Sequence, residues 1–590
     1  MPYRAPVADI LFSLKHVAGF ADALAGGLYG ELDLDTAETI VTEAGKFAQE
    51  AIAPLDAIGD REGARYENGV VFMPRGFREA YQSWAASGWA GVSAAIEHGG
   101  MGLPRAVNAA CTELWAGGSI GFALCPLLGE GAIDALAAHA DPAMRETYLK
   151  RLISGEWTGT MNLTEPQAGS DLGAVKTRAE PAGDGTYRLT GQKIFITYGE
   201  HDMADNIVHL VLARLPDAPP GTRGISLFLA PKFLVKEDGS LGERNDLRCA
   251  SIEHKLGIHA SPTCVMIYGD GGGAKAWLVG EANHGLNAMF VMMNAARLGV
   301  GLQGVAIGEK AFQRALAFAR ERRQGRAQRG AEASAIVEHP DVRRMLLTMK
   351  ALTQAARGIC HLTAMAIDAA ERAGNFETRD EASERAALLT PVAKAFSSDI
   401  GDEVASLGLQ IHGGMGYIEE TGAAQLVRDA RIAAIYEGTN GIQAIDLVQR
   451  KLPLSNGAAL AREIAMMRAT IAEVAAANDS EFGATAARLV DAVNAFEQAG
   501  AFLARALNTD PTSALAGASA YLRLFGLALG GVCLARAGLA ARELPEERGR
   551  IGLARFYAEK LTTVAPGLAR AIVSGAAALR GCDAILAETV

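Results

Sequence analysis

The chain lacks the residue patterns from which disulfide scaffolds and metal sites are built. Its seven cysteines, at positions 111, 125, 249, 264, 360, 533 and 582, are odd in number, scattered and never spaced as CxxC. That excludes a disulfide framework and a structural zinc site, and it fits a reducing, cytoplasmic location. The eleven histidines show no HExxH or comparable ligand spacing, so no metal is expected. An excess of positive charge is missing as well. With 56 Lys and Arg against 67 Asp and Glu the formal net charge is -11, which disfavours nucleic acid and anionic membrane surfaces as partners. The N-terminal MPYRAPVADILFSLKHVAGF is interrupted by Asp9 and Lys15 and lacks the h-region and cleavage site of a secretory signal. The strongest membrane candidate, LFGLALGGVCLA between Arg523 and Arg536, offers 12 uncharged residues where a spanning helix needs ~20, so a buried core helix and no membrane span are expected.

What is present is a large apolar fraction, 49% hydrophobic residues against 21% charged, in 590 residues. Single cores stop growing at roughly 250 to 300 residues, so several packed units are expected. Residues 1–35 read as an N-terminal extension. From 36 to 157 the apolar spacing is helical, as in DTAETIVTEAGKFAQEAIAPLD, with Asp and Ser/Thr caps. From 158 to 283 short β-type runs such as TYRLTGQKIFITY and DNIVHLVLARL alternate with turns such as PDAPPGT, predicting a small barrel or sandwich. Long helical patterns resume over 284–453 and are long enough for a bundle. Residues 456–590 are Ala- and Leu-rich, helical, and without a repeat of fixed period.

Two glycine motifs are decoys. GVGLQG, Gly299–Gly304, matches GxGxxG but lies inside a helical pattern instead of between strand and helix, so close helix packing is expected. GDGGGAK at 269–275 lacks the GK[ST] ending of a phosphate loop and reads as a turn. TEPQAGSDLGAVKTRA (164–179) followed by GQKIFITYG (191–199) carries more information. Small residues, Ser and Thr can set backbone N–H groups and hydroxyls against phosphate, and Phe195 and Thr197, two apart, share one strand face that could seat a planar cofactor. A carboxylate also stands out: in AAIYEGTNGIQ (433–443), Glu437 follows an apolar run and precedes a glycine.

These stretches, with QIHGGMGYIEETGAAQLVRDARIAAIYEGTNGIQ (410–443), EHGGMGLP (97–104) and ERRQGR (321–326), resemble the acyl-CoA dehydrogenase flavoenzymes over about residues 40–452. The resemblance implies a multidomain α+β fold: an N-terminal helical domain, a middle β-barrel domain and a C-terminal four-helix bundle. The extra helical C-terminal domain resembles the longer branch that includes 3-methylmercaptopropionyl-CoA dehydrogenases. It implies FAD as cofactor. Met161, Leu163 and Thr164 would contact the flavin mainly through backbone, Ser170 would meet the pyrophosphate and the substrate, Phe195 would pack on the isoalloxazine and Thr197 would donate to flavin N5. Arg322, Gln410, Gly413 and Gly414 would hold the pyrophosphate and adenosine half across a homodimer, and Thr439 would face FAD. Asn294, Arg297 and Gly438 would line the substrate site.

The same resemblance implies α,β-dehydrogenation of an acyl-CoA, 3-methylmercaptopropionyl-CoA or a fatty acyl-CoA, with Glu437 as the catalytic base and an electron-transferring flavoprotein as acceptor. A carboxylate has a pKa of about 4.3 in water, and burial in an apolar pocket raises it into the range of a useful base. The sequence departs from the family pattern at Asn294 (usually Asp), at the shortened QG after the arginine pair, at Gly441 (often Gln), at Gln425 (usually Lys or Arg) and at Asn162. Two neighbouring functions share the resemblance: an acyl-CoA oxidase, and a DNA-binding alkylation-response flavoprotein whose tail should be strongly basic, whereas this tail mixes both signs.

Overall fold

The structure, a computed structural model, describes residues 3–327 and 333–587. Its first unit is helical. Helix α1 (Leu34–Phe47) starts where the Asp33 carboxylate accepts the Thr36 N–H at 2.7 Å, and it buries the stripe Ala37, Val41 and Ala44. Helices α2 (Arg105–Gly118) and α3 (Ile120–His139) follow and are buried over most of their length.

The middle unit is a sheet of eight strands: β1 (Trp157–Asn162), β2 (Arg178–Pro181), β3 (Tyr187–Thr197), β4 (Asn206–Ala213), β5 (Ser226–Pro231), β6 (Leu247–Ile252), β7 (Thr263–Tyr268) and β8 (Ala274–Val279). Their order is β6-β7-β3-β8-β5-β4-β1, with β2 paired to β3; β1 and β4 are parallel and the remaining pairs antiparallel. Every residue of β4 and β5 is buried because the sheet has a core on each face. Val208, Leu210 and Leu212 pack toward α3 and the start of the bundle. Val211 and Ala213 face an interior that also holds Leu189, Phe228, Leu247, Met266 and Ala276. That second core comes from the sheet's own strands, as in a sheet curled on itself, and it explains why these strands read as continuous apolar runs.

Three long helices form the bundle: α4 (Gly285–Glu321), α5 (Pro340–Arg372) and α6 (Phe376–His412). The short helices Ala423–Ala430 and Asn440–Asp446 complete it against α6. The GVGLQG glycines do what the helical pattern predicts. A Cβ at Gly301 would lie 2.4 Å from the Ala393 carbonyl oxygen, and one at Gly304 2.1 Å from that of Ser397, so α6 crosses α4 at backbone contact. Helix α7 (Ala518–Ala541) of the tail packs on α5 and α6, with Gly526 against the Phe396 ring and Gly530 against Ala355. The 12-residue run is thus part of a 24-residue helix. Length does not exclude a membrane span here or in α3 and α4; burial of all three inside the fold does so.

Charged groups tie the units together. Fully buried Arg357 of α5 reaches Glu113 of α2 at 2.7 Å and Glu309 of α4 at 3.1 Å. Asp9 of the N-terminal extension pairs with Lys350 of α5 at 2.6 Å and with Arg550 of the tail at 2.7 Å, and the Arg550 guanidinium lies 3.8 Å from the Phe12 ring centre. Burial alone would raise the Asp9 carboxyl, yet Lys350, Arg357 and Arg550 hold it well below the usual carboxylate range. A depressed folded-state pKa gives stability that is present above the unfolded value, about 3.9, and is lost as pH falls through the folded one. Replacing Asp9 by Asn is expected to cost about 2 kcal/mol at neutral pH and to flatten this acid dependence, measured by denaturant melts from pH 3 to pH 7. An unchanged acid limb in the variant would mean that other carboxylates control it.

Candidate active site

The segment carrying Glu437 leaves a short 3-10 turn, Arg431–Ala434, and enters the helix Asn440–Asp446. Between them the backbone is left-handed at Glu437 (φ 55°) and Gly438 (φ 78°). A side chain in that region costs roughly 1–2 kcal/mol, so the turn is held by its surroundings. Gln443 Nε2 donates to the Glu437 carbonyl at 3.1 Å, and Thr439 Oγ1 accepts the Ile442 N–H at 3.2 Å as the helix cap. A Cβ at Gly438 would lie 2.9 Å from Gln443 Nε2, so within this chain the room that Gly438 provides is taken by Gln443.

Asn440 anchors the turn to α6. Its Nδ2 donates to the Ala395 carbonyl at 3.1 Å, to Ser398 Oγ at 3.0 Å and to Asp399 Oδ1 at 2.6 Å, while its Oδ1 accepts from Lys394 Nζ at 2.7 Å. Lys394 is fully buried. Burial brings its ammonium down to about 8, against the opposing pull of Glu437 and Asp399. Burial likewise raises the Glu437 carboxyl, while Arg297 and Lys394 lower it. Glu437 is thereby a partly buried carboxylate with two cations in range. Arg297 is buried, donates from Nη1 to Asn294 Oδ1 at 3.2 Å, and its Nε has no partner among the described residues. Both Asn294 and Arg297 line a cavity of about 320 Å³ between α2, α3, α4, α5 and α6.

Removing the Lys394 charge should make Glu437 easier to protonate. Lys394→Met is expected to shift the acid limb of kcat/KM upward by about one pH unit, with Lys394→Arg restoring it in part. A limb that stays in place while activity falls would reduce Lys394 to a support for the turn.

On the sheet side, β3 is bulged: Cys264 pairs with Ile196 and Met266 with Lys193, leaving an extra residue between them. Phe195 sits there with φ 59° and is 58% exposed, and Tyr198 follows with φ 52°. The alternation slips by one residue between Lys193 and Ile196, whereas Phe195 and Thr197 both stay out of the core because Ile196 between them is the buried one. A large ring held in a strained conformation and left open is suited to be covered by a flat partner. The TEP turn beside it is fixed by Lys193, fully buried, whose Nζ donates to the Leu163 carbonyl at 2.9 Å and Glu165 Oε1 at 2.8 Å. The Thr164 carbonyl accepts the Ile194 N–H at 2.9 Å. With both carbonyls committed, Leu163 and Thr164 have N–H and side-chain groups to offer. Met161 and Leu163 join the apolar cluster that contains Met292 and Ala296 of α4, next to Arg297. Ser170 is exposed in the loop beyond.

Arg322, Gln410, Gly413 and Gly414 lie elsewhere. Arg322 caps the C-terminus of α4, 25 residues beyond Arg297 and so roughly 37 Å along the helix. The Phe318 ring stacks on His412 at 4.5 Å, which brings Arg322 and the Gln410–Gly414 turn to the same end of the bundle. Met415, Tyr417 and Ile418 are exposed there. Of the sequence-predicted residues, Glu437 and Arg297 lie within electrostatic range of each other, the Phe195 bulge adjoins the TEP turn, and Arg322 with Gln410–Gly414 lies at the far bundle end. Sequence reasoning missed Lys394, Asn440, Gln443 and Lys193; the one available signal was a lone lysine in the apolar run ALLTPVAKAFSS.

Four family models match the chain in order: acyl-CoA dehydrogenase, N-terminal domain, over residues 35–156; the middle domain over 160–270; the C-terminal domain over 283–452; and acetyl-CoA dehydrogenase C-terminal like over 464–583. The chain is 49% identical over 569 residues to the 3-methylmercaptopropionyl-CoA dehydrogenase of Ruegeria pomeroyi, covering 95% of each. It is 32% identical over 589 residues to a butyryl-CoA dehydrogenase of Syntrophomonas wolfei, covering 96% of this chain and 95% of that one. Among solved structures it shares the fold of a Bacillus anthracis acyl-CoA dehydrogenase complexed with FAD (TM-score 0.74, 20% identity, 92% and 88% covered) and of Caenorhabditis elegans ACDH-11 in complex with C11-CoA (TM-score 0.76, 19% identity, 90% and 89% covered). The chain belongs to the acyl-CoA dehydrogenase family.

Proposed function

We propose that the chain catalyses FAD-dependent α,β-dehydrogenation of an acyl-CoA thioester, with 3-methylmercaptopropionyl-CoA as its first candidate substrate and an electron-transferring flavoprotein as acceptor. The observation that carries the mechanism is Glu437, set on a strained left-handed turn, partly buried and within range of Arg297 and Lys394. The likeness to the Ruegeria pomeroyi enzyme over 95% of both chains supports the substrate.

Glu437 removes the α proton of the thioester. Burial raises its affinity for that proton, and the two cations keep the carboxylate ionised while it waits. The Glu437 N–H has no acceptor among the described residues and is free to donate to the thioester carbonyl oxygen, where charge grows as the proton leaves. Asn440 and Lys394 hold the turn so that neither group has to reorganise. FAD, when bound, supplies the hydride acceptor that completes conversion to the 2-enoyl-CoA. Phe195 offers a ring for the flavin to cover, and Thr197 stands beside it. The separation of the Glu437 group from Arg322 and Gln410–Gly414 supports a homodimer in which the far bundle end serves the partner's cofactor.

The test is a dye-reduction panel of thioesters from butanoyl- to hexadecanoyl-CoA beside 3-methylmercaptopropionyl-CoA. The highest kcat/KM is expected with the last, with electrons delivered to an electron-transferring flavoprotein and little hydrogen peroxide formed. A clear preference for long straight chains would overturn the substrate, and stoichiometric peroxide would make the protein an oxidase.

A further inference from the structure

We propose that the acid-rich wall of the cavity formed by Arg105, Glu130, Asp134 and Glu371 makes the enzyme select uncharged acyl groups and reject thioesters whose acyl chain ends in a carboxylate. The inference rests on the acyl-CoA reading above, because it takes this cavity as the place of the acyl tail. Arg297 provides the link, since it lines the cavity and also acts electrostatically on Glu437.

The helices deliver two kinds of lining. Ala109 of α2, Leu127 of α3, and Val291 and Leu298 of α4 line the cavity with apolar groups, as do Ile367 and Ala386 of α5 and α6. Arg105 and Asn108 of α2 and Glu130 and Asp134 of α3, spaced three and four residues apart, project from the facing stripes of those helices. Arg105 makes a two-pronged pair with Asp134, Nη1 to Oδ2 at 2.8 Å and Nη2 to Oδ1 at 3.0 Å. Its Nη1 also lies 3.5 Å from Glu130, and its Nε donates to Glu371 at 3.4 Å. Asn108 Nδ2 donates to Glu130 Oε1 at 2.6 Å.

One cation thus serves three carboxylates, and its Nε, its Nη1 and one Nη2 N–H are already engaged. At the Arg105 cluster an incoming carboxylate would meet a guanidinium held by three carboxylates and would sit among like charges in a partly desolvated space; the unpartnered Nε that also lines the cavity belongs to Arg297, the arginine that acts on Glu437. The strain on negative charge is visible at Glu130, where burial and the neighbouring Asp134 push the carboxyl up to about 7. A methyl or thioether terminus meets no such cost and gains contact with the apolar stretch.

The test uses the purified holoenzyme with matched pairs that differ only at the terminus: pentanoyl- against glutaryl-CoA, hexanoyl- against adipyl-CoA, octanoyl- against suberyl-CoA. The dicarboxylyl member is expected to show a kcat/KM lower by about a hundredfold in at least one pair. In Glu130→Gln/Asp134→Asn the discrimination should shrink by about tenfold. If that variant fails to fold, Glu371→Gln, which alters the more exposed rim, should shrink it in the same direction. Equal rates within every pair would overturn the selectivity and leave the dehydrogenase reading intact, whereas oxidation of neither member would remove both. Unchanged discrimination in folded variants would overturn the assignment to this cluster.

Discussion

Glu437→Gln is expected to lower turnover of acyl-CoA by about 10² to 10⁴-fold while FAD and acyl-CoA still bind. The amide has nearly the shape of the carboxylate, so the left-handed turn, the Gln443 bond to the Glu437 carbonyl and the Asn440 anchor should persist. What disappears is the one acceptor for the α proton. Mixing the variant holoenzyme with substrate without oxygen should leave the flavin colour in place, whereas the unaltered protein bleaches. Loss of colour at the normal rate in the variant would dismiss Glu437 as the base. A loss of FAD content together with activity would instead give it a structural role.

The largest effect on stability is expected at Arg357→Met. The substitution leaves Glu113 buried at the junction of α2, α4 and α5 without its cation, while Glu309 keeps Lys350 at 3.6 Å, and breaking such a buried pair costs about 3–5 kcal/mol. Burial already pushes the Glu113 carboxyl up, with Arg357 as its main counterweight. In the variant its folded-state pKa lies still further above the unfolded value. Stability is then fully present below the unfolded pKa and is lost as pH rises through the folded one. Denaturant melts should therefore show the variant closest to the parent protein in mild acid and furthest from it above neutrality. Adding Glu113→Gln should recover part of the loss, because it removes the unpaired charge. A deficit independent of pH and unaffected by the second change would assign the loss to packing.

Much of the fold could be read from the sequence because its signals are periodic. The 3.6-residue spacing over Gly285–Glu321 and the glycine face of GVGLQG both reflect packing along one helix. The carboxylate of AAIYEGTNGIQ was equally readable, since a Glu between an apolar run and a glycine is rare enough to stand out. What sequence spacing could not give depends on partners far away in the chain. The two-residue spacing of Phe195 and Thr197 was legible, but the bulge between Phe195 and Lys193 was not, because it is set by the register of β7. Lys394 in ALLTPVAKAFSS looks like any lysine whose stem lies on a helix face; it is buried because the glycines of α4 draw α6 in and because Asn440 receives it. The Arg357 cluster joins residues 113, 309 and 357 from three helices, and no local pattern pairs them.

Proton abstraction can be isolated from hydride transfer with 3,3-dimethylbutanoyl-CoA, whose β carbon carries no hydrogen. Incubated with the holoenzyme in deuterated water and followed by proton nuclear magnetic resonance, its α hydrogens are expected to exchange with solvent, and in Glu437→Gln the exchange should fall to the uncatalysed rate. Equal exchange in both proteins would contradict the assignment of Glu437 as the base.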